Sequence, residues 1–139
     1  MRYLLDTNIC IYLINRRPAS IRERFERVAV GDIAISAVTA SELRYGAEKS
    51  ARREQNLQAL GKFLLPLPVL PYDAAAVEHY GRIRARLERA GTPIGGMDLM
   101  IAAHALALGA VLVTHNVSEF RRVPDLSVED WIAPSPVAA

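Results

Sequence analysis

Arg2-Tyr3-Leu4-Leu5-Asp6-Thr7-Asn8 is the stretch on which the fold turns. Arg2 to Leu5 reads as a short buried strand, with Tyr3-Leu4-Leu5 its apolar run. Asp6-Thr7-Asn8 then supplies turn and N-cap chemistry, and Ile9, Tyr12 and Leu13 continue as the apolar face of a helix. A strand that passes directly into a helix, with an acid at the junction, is the unit from which open α/β sheets are built. In such sheets, ligands and catalytic groups collect outside the carboxyl ends of the parallel strands. Working outward, acids stand at comparable breaks elsewhere: Glu42 after Ile33-Ala34-Ile35-Ser36, Asp98 before Leu99-Met100-Ile101, and Glu119 after Val111-Leu112-Val113-Thr114. Four such acids in one crevice would repel one another without a cation.

The remaining segments fit the same alternation. Pro18 and Ser20 open a helix over Ile21 to Val28, with Ile21, Phe25 and Val28 on one face. Ile33 to Ile35 reads as the second strand, and Ser36 caps a helix running to about Lys49 that carries Glu42. Arg52 to Leu64 reads as a further helix. Leu67-Pro68-Val69-Leu70-Pro71 reads as a short edge strand or an extended connection, because of its two prolines. Asp73 caps a long helix over Ala74 to Ala90, closed by Gly91. The loop Thr92 to Gly96 leads into an apolar helix from Met97 that ends at Gly109. Val111 to Thr114 and Leu126 to Val128 complete the strands. This alternation predicts an α/β protein: a three-layer α/β/α sandwich around a mainly parallel sheet. One domain over residues 1–132 is expected, with a frayed tail over 133–139 that carries Pro134 and Pro136.

Composition narrows the class. The 139 residues suffice for a single core, and no apolar segment approaches the ~20 residues of a membrane span. The Met1 end shows no basic region followed by an apolar one, so a cytoplasmic location is expected. Cys10 is the single cysteine, which excludes an internal disulfide, and its place between Ile9 and Ile11 marks it as a small buried hydrophobe. The net charge is +2, but setting the four acids aside leaves 17 basic against 11 acidic side chains. A basic body around an acidic cleft suits a polyanionic partner bound through a metal.

Carboxylate oxygens are hard ligands, so an acid set without paired Cys or His favours Mg²⁺, with Mn²⁺ as the alternative, over zinc. Such ions neutralise phosphodiester oxygens, orient and acidify a water and stabilise the leaving oxygen, so metal-assisted phosphodiester hydrolysis is the natural reaction class. The same acids have a second account as caps, turns and surface pairs; Asp98, for instance, also suits the positive end of its helix dipole. His104 reads as a packing or hydrogen-bonding group on its helix and His115 as a residue at the cleft rim. Tyr45 is expected to pack near Glu42, and His79 carries no signal. The arginines at 82, 84, 86 and 89 cannot share one helix face and read as solvated.

Read in order, Leu4-Leu5-Asp6-Thr7-Asn8, Ser41-Glu42-Leu43-Arg44-Tyr45-Gly46-Ala47, Gly91 to Asp98, and Val113-Thr114-His115-Asn116-Val117-Ser118-Glu119-Phe120 resemble PIN-domain ribonucleases, specifically the VapC toxins of bacterial toxin–antitoxin pairs. The likeness extends through Arg82-Ile83-Arg84-Ala85 and Val123-Pro124-Asp125-Leu126 to Glu129-Asp130-Trp131. It implies Asp6, Glu42 and Asp98 as the core acidic site holding Mg²⁺ or Mn²⁺. Many PIN domains carry an Asp where this chain has Asn116, and Glu119 looks like the replacement acid. Thr7, Asn8, Thr114 and Asn116 resemble the polar residues that brace the acids. Gly96 departs from the Gly-Pro often found before the equivalent of Asp98, which predicts a more flexible approach to that acid.

The resemblance further implies an endoribonuclease leaving 5′-phosphate and 3′-hydroxyl ends on structured cellular RNA, with tRNA favoured, and thereby a growth-inhibiting toxin. It implies a VapB-like antitoxin whose C-terminal segment lies across apolar grooves and sends an Arg into the acidic pocket. A homodimer is implied as well, with promoter DNA contacted through the antitoxin. The alternative is a catalytically silent PIN-like module that binds RNA or antitoxin. A haloacid-dehalogenase-type phosphatase is disfavoured, because it expects an Asp where Asn8 stands.

Overall fold

The computed structural model describes residues 1–132; the tail expected to fray, 133–139, lies outside the described residues. Five strands form one sheet: β1 (Tyr3–Leu5), β2 (Ile33–Ser36), β3 (Val69–Leu70), β4 (Val111–Val113) and β5 (Val128–Glu129). Their spatial order is β3-β2-β1-β4-β5 and every pairing is parallel, with Leu4 aligned to Ala34 on one side and Leu112 on the other. The helices are α1 (Thr7–Ile14), α2 (Ala19–Arg27), α3 (Ala37–Lys49), α4 (Arg53–Leu64), α5 (Ala74–Arg89), α6 (Gly96–Leu108) and the short α7 (Val117–Phe120).

Strand alternation separates two cores. Tyr3, Leu5, Ile33, Ile35 and Val113 pack with Ile9, Leu13, Leu43, Leu60 and Trp131 on one face. Leu4, Ala34 and Leu112 pack with Ile83, Leu87, Leu99, Ile101 and Phe120 on the other. Both faces are covered, which is why the strands are apolar without a polar face. Cys10 is fully buried, and burial pushes its thiol well above the ordinary range, consistent with a packing role.

The topology decides where a site can form. The chain winds from β1 through β2 to β3 on one side, then crosses to β4 and β5 on the other. The crevice therefore opens between the carboxyl ends of β1 and β4, where the winding reverses and the following segments splay apart. Asp6 leaves β1 and Thr114 leaves β4 at that crevice. The Asp6 N–H donates to the Val113 carbonyl (3.0 Å), extending the ladder to the edge of the site.

Several boundaries differ from the sequence reading. The second helix spans Ala19–Arg27, and α6 begins at Gly96 rather than Met97. The last strand is Val128–Glu129, not Leu126 to Val128, because Leu112 N–H and Thr114 N–H donate to the carbonyls of Ser127 and Glu129. Leu126 instead packs against the core containing Leu4. Tyr45, expected to pack near Glu42, is 64 % exposed, and its ring lies under the Lys49 ammonium at 4.8 Å. The α5 arginines at 82, 84, 86 and 89 are exposed as expected, and Arg84 pairs with Glu88.

His104 has a clear structural role. It is buried, and its Nδ1 lies 2.7 Å from Ser36 Oγ, which itself accepts from Val38 N–H at the start of α3. The hydroxyl accepts from the backbone and donates to the ring, so α6 is tied to the cap of α3. Burial holds the His104 ring below its usual basicity, as an acceptor nitrogen in a core requires.

Gly96, noted as a departure from Gly-Pro, occupies the first position of α6 after Gly95, whose φ of −59° and ψ of 148° suit a residue preceding proline. A Cβ at Gly96 would meet nothing within 4 Å. Gly96→Pro is expected to stabilise the protein by about 0.4–1 kcal/mol through the unfolded chain, raising Tm by roughly 2–4 °C in a thermal melt. A fall in Tm would show that this turn needs the freedom of glycine.

Candidate active site

Asp6 is placed by the β1–α1 junction. Its Oδ1 accepts from the Ile9 N–H (2.8 Å), so the carboxylate caps α1, and Thr114 from the adjacent strand end hydrogen-bonds it as well. It is only 4 % exposed. Burial raises its pKa, the Thr114 and Ile9 hydrogen bonds pull it back, and the charges of Glu42 and Asp130 raise it again.

Glu42 projects from the second turn of α3 and accepts from Thr7 Oγ1 at 2.5 Å, which joins the first turn of α1 to α3 across the crevice. Asp98 lies in the first turn of α6. Glu119 lies in α7, where Asn116 Nδ2 and the Gly95 N–H (3.2 Å) both donate to it. Asn116 N–H in turn donates to Thr114 Oγ1 (3.0 Å), so one bracing chain runs from Asp6 through Thr114 and Asn116 to Glu119. An Asp at position 116 would have no amide to offer; the Asn serves here as the donor that steadies the acid one helical turn on.

The electrostatics tie the four acids together. Asp98 is pushed up to about 7, first by burial, then by the charge of Glu119 and a hydrogen bond with it, and further by Asp6 and Glu42. All four carboxylates therefore share one electrostatic neighbourhood. Two carboxyl groups hydrogen-bond to each other only with a proton between them, and like charges this close cannot both ionise without help.

Of the residues singled out in the sequence, Asp6, Glu42, Asp98, Glu119, Thr7, Thr114 and Asn116 lie along this crevice, whereas Asn8 is exposed and makes no side-chain hydrogen bond among the described residues. The sequence reading missed Asp130. That acid follows β5 at the same carboxyl edge, raises Asp6 through space, and accepts from Ile132 N–H and from the His115 ring. The signal was the same one that found Asp6, an acid directly after a strand, hidden by ending that strand too early. His115 stands at the rim as expected, with a half-exposed side chain.

These residues can be tested for fit to a cation. Among the described residues no three His, Cys, Asp or Glu side chains close on one point as they stand. Glu42 is engaged by Thr7, and Glu119 by Asn116 and Gly95. Yet Asp98 is raised by the charges of Glu119, Asp6 and Glu42 together, and a cation placed among these acids would relieve that repulsion. The donor set is carboxylate oxygen throughout, so the site fits a hard divalent ion. Removing the Thr7 hydroxyl tests the brace on Glu42: Thr7→Val is expected to lower turnover about tenfold while leaving the fold intact, measured by steady-state cleavage and circular dichroism. Unchanged turnover would make that hydrogen bond a crevice tie without functional weight.

Comparison with known proteins places this geometry. The PIN domain model matches residues 3–126. The chain is 51 % identical over 131 residues to the tRNA(fMet)-specific endonuclease VapC of Shigella flexneri, covering 94 % of this chain and 98 % of that protein. It is 46 % identical to ribonuclease VapC2 of Rickettsia felis, covering 94 % and 98 %. Among solved structures, DNA-bound VapBC from Salmonella typhimurium superposes with a TM-score of 0.90 at 48 % identity, covering 94 % of this chain and 98 % of that one. VapBC2 of Rickettsia felis, bound to a fragment of its promoter, gives 0.88 at 44 %, covering 94 % and 99 %. PIN-domain ribonucleases generally depend on a divalent metal. A parallel sheet whose reversal point gathers four acids, matched along nearly its whole length by these relatives, places the chain in the PIN-domain family, among the VapC ribonucleases.

Proposed function

We propose that this VapC-family endoribonuclease uses Asp6 and Asp98 to hold Mg²⁺, that Glu42 holds the metal or positions the attacking water, and that Glu119 completes the acidic pocket. The observation that carries this reading is the gathering of Asp6, Glu42, Asp98 and Glu119 at the reversal point of the sheet, close enough for the other three to raise Asp98. Mn²⁺ suits the same oxygens. Held by these residues, such an ion would supply neutralisation of nonbridging phosphate oxygens and acidification of a water. The chain's own groups do the rest. Asp6 is fixed by its helix cap and by Thr114, Glu42 is oriented by Thr7, and Glu119 is steadied by Asn116 and Gly95. Water attacks the phosphodiester in line, leaving a 5′-phosphate and a 3′-hydroxyl.

The substrate is cellular RNA, and the name of the Shigella flexneri relative supports tRNA. Cleavage inhibits translation, which makes the protein the toxin of a type II toxin–antitoxin pair. The VapBC complexes among its structural relatives support a VapB-like antitoxin and contact with promoter DNA through that partner. A groove of about 280 Å³ supports the same reading. Ile11, Ile14, Leu43, Ala47 and Leu60 line it, and it opens beside Glu42, suiting an apolar antitoxin segment that ends at the acids. The toxin is a homodimer in this reading. It acts in the cytoplasm; no helix among the described residues is long and apolar enough to cross a membrane.

The test is incubation of antitoxin-free protein with total RNA, with Mg²⁺ or with EDTA. Discrete fragments that vanish with EDTA are expected. Discrete cleavage in EDTA overturns the metal assignment, and binding of RNA without cleavage favours the silent module.

A further inference from the structure

The four acids address phosphate through a cation, and attack by water makes no use of the ribose 2′-hydroxyl. Nothing in that set distinguishes RNA from DNA, so selectivity for RNA needs a contact to the 2′-hydroxyl elsewhere. The polar cluster at the rim that the hydrolytic reading leaves unused is His115 with Asp130 and Tyr12.

Three features fix the His115 ring. Asp130 Oδ2 lies 3.0 Å from His115 Nδ1. The Tyr12 ring meets the imidazole edge-to-face, with centroids 6.5 Å apart. Thr114 and Asn116, its neighbours in sequence, brace Asp6 and Glu119 respectively. Asp130 is itself steadied by Ile132 N–H (2.9 Å) and lies near enough to Asp6 to raise it. The histidine side chain nevertheless keeps 53 % of its surface exposed, against 18 % for Asp130. An ionised carboxylate can only accept, so Nδ1 carries the proton, and in the neutral ring Nε2 is then an acceptor. When the ring is neutral, this acceptor nitrogen does not bind a phosphate oxygen; the backbone group of RNA that it matches is the 2′-hydroxyl, a donor that DNA lacks.

We propose that His115, oriented by Asp130 and Tyr12, accepts a hydrogen bond from a ribose 2′-hydroxyl beside the scissile phosphate and thereby selects RNA over DNA. This rests on the reading of the acidic site as an RNA-cleaving centre. His115 contacts the substrate, and Asp130 is a positioning residue that acts through it.

The experiment uses the full chain with Mg²⁺ at pH 8 and an RNA oligonucleotide that it cuts, beside a series in which one nucleotide at a time around the cut is 2′-deoxy. His115→Phe keeps a ring against Tyr12 and removes both nitrogens; His115→Gln supplies a second variant with an acceptor. His115→Phe is expected to raise KM about three- to tenfold with kcat nearly unchanged, as for a contact equally present in ground and transition states. At one position the 2′-deoxy substitution costs the unsubstituted protein a similar factor and costs His115→Phe nothing more. His115→Gln recovers part of the loss, and Asp130→Asn shows part of it. Equal deoxy penalties in both proteins at every position overturn the inference and leave the nuclease reading standing. No metal-dependent cleavage by the unsubstituted protein overturns both.

Discussion

Asp98→Asn is expected to silence metal-dependent RNA cleavage, by at least about a hundred- to a thousandfold, and to make the metal-free protein more stable above neutral pH. The first effect follows from removing one charge of the proposed metal site, where preorganised electrostatics are worth that much. The second follows from linkage. The folded Asp98 is raised to about 7 by burial and by Glu119, Asp6 and Glu42, whereas an unfolded aspartate titrates near 3.9. Folding therefore favours the protonated form. The stability this gives is complete below about pH 4 and is lost as pH rises through about 7. Asparagine is permanently neutral and escapes that loss. In EDTA the Tm of the variant should exceed that of the unsubstituted protein by a few degrees at pH 8, and the gap should close towards pH 4. Because Asp98 is only half-buried, solvent screening reduces the difference to roughly 1–2 kcal/mol. Added Mg²⁺ should raise Tm in the unsubstituted protein more than in the variant. A variant that is less stable than the unsubstituted protein at pH 8 would mean that Asp98 is a structural acid.

Asp6 separates structure from function through two substitutions. Asp6→Asn keeps a side-chain oxygen for the Ile9 N–H, and asparagine caps helices as well as aspartate does. Cleavage is expected to fall by at least about a hundredfold with Tm held within a few degrees. Asp6→Ala loses the charge and the cap together. It also removes the carboxylate to which the fully buried Thr114 is hydrogen-bonded, leaving that hydroxyl only its contact with the Asn116 N–H, so it should cost a further ~1–2 kcal/mol in a denaturant melt. Both lose activity, and only the alanine form loses much stability. Retained cleavage by the folded asparagine form would remove Asp6 from the site.

Much of this was legible in one dimension because the relevant signals are local. Arg2 to Leu5, Ile33 to Ile35 and Val111 to Thr114 announce themselves as strands by being short and largely apolar, the first two followed directly by helix caps. Asp6, Ser36 and Asp73 each cap their helices as their positions suggested. The motif order carried the family and with it Asp98 and Glu119, whose roles no local pattern assigns. Where the reading slipped, packing was the cause. Tyr45 sits on the solvent side of α3, and a tyrosine beside a helix stripe can fall either way until the neighbouring helices are placed. The last strand moved by pairing with β4, a contact made far along the chain.

The sequence by itself determined that strands and helices alternate and that acids stand where the strands stop, because strand length, side-chain periodicity and capping are properties of a few consecutive residues. The tertiary structure alone decided which acids meet. The order β3-β2-β1-β4-β5 puts the reversal of winding between β1 and β4, and this brings Asp6 beside Thr114 and raises Asp98 against Glu119. The parallel pairing of β4 with β5 likewise brings Asp130 to His115. Strand order is set by how two apolar faces are covered at once, a balance over the whole chain, so proximity across the crevice has no local signature.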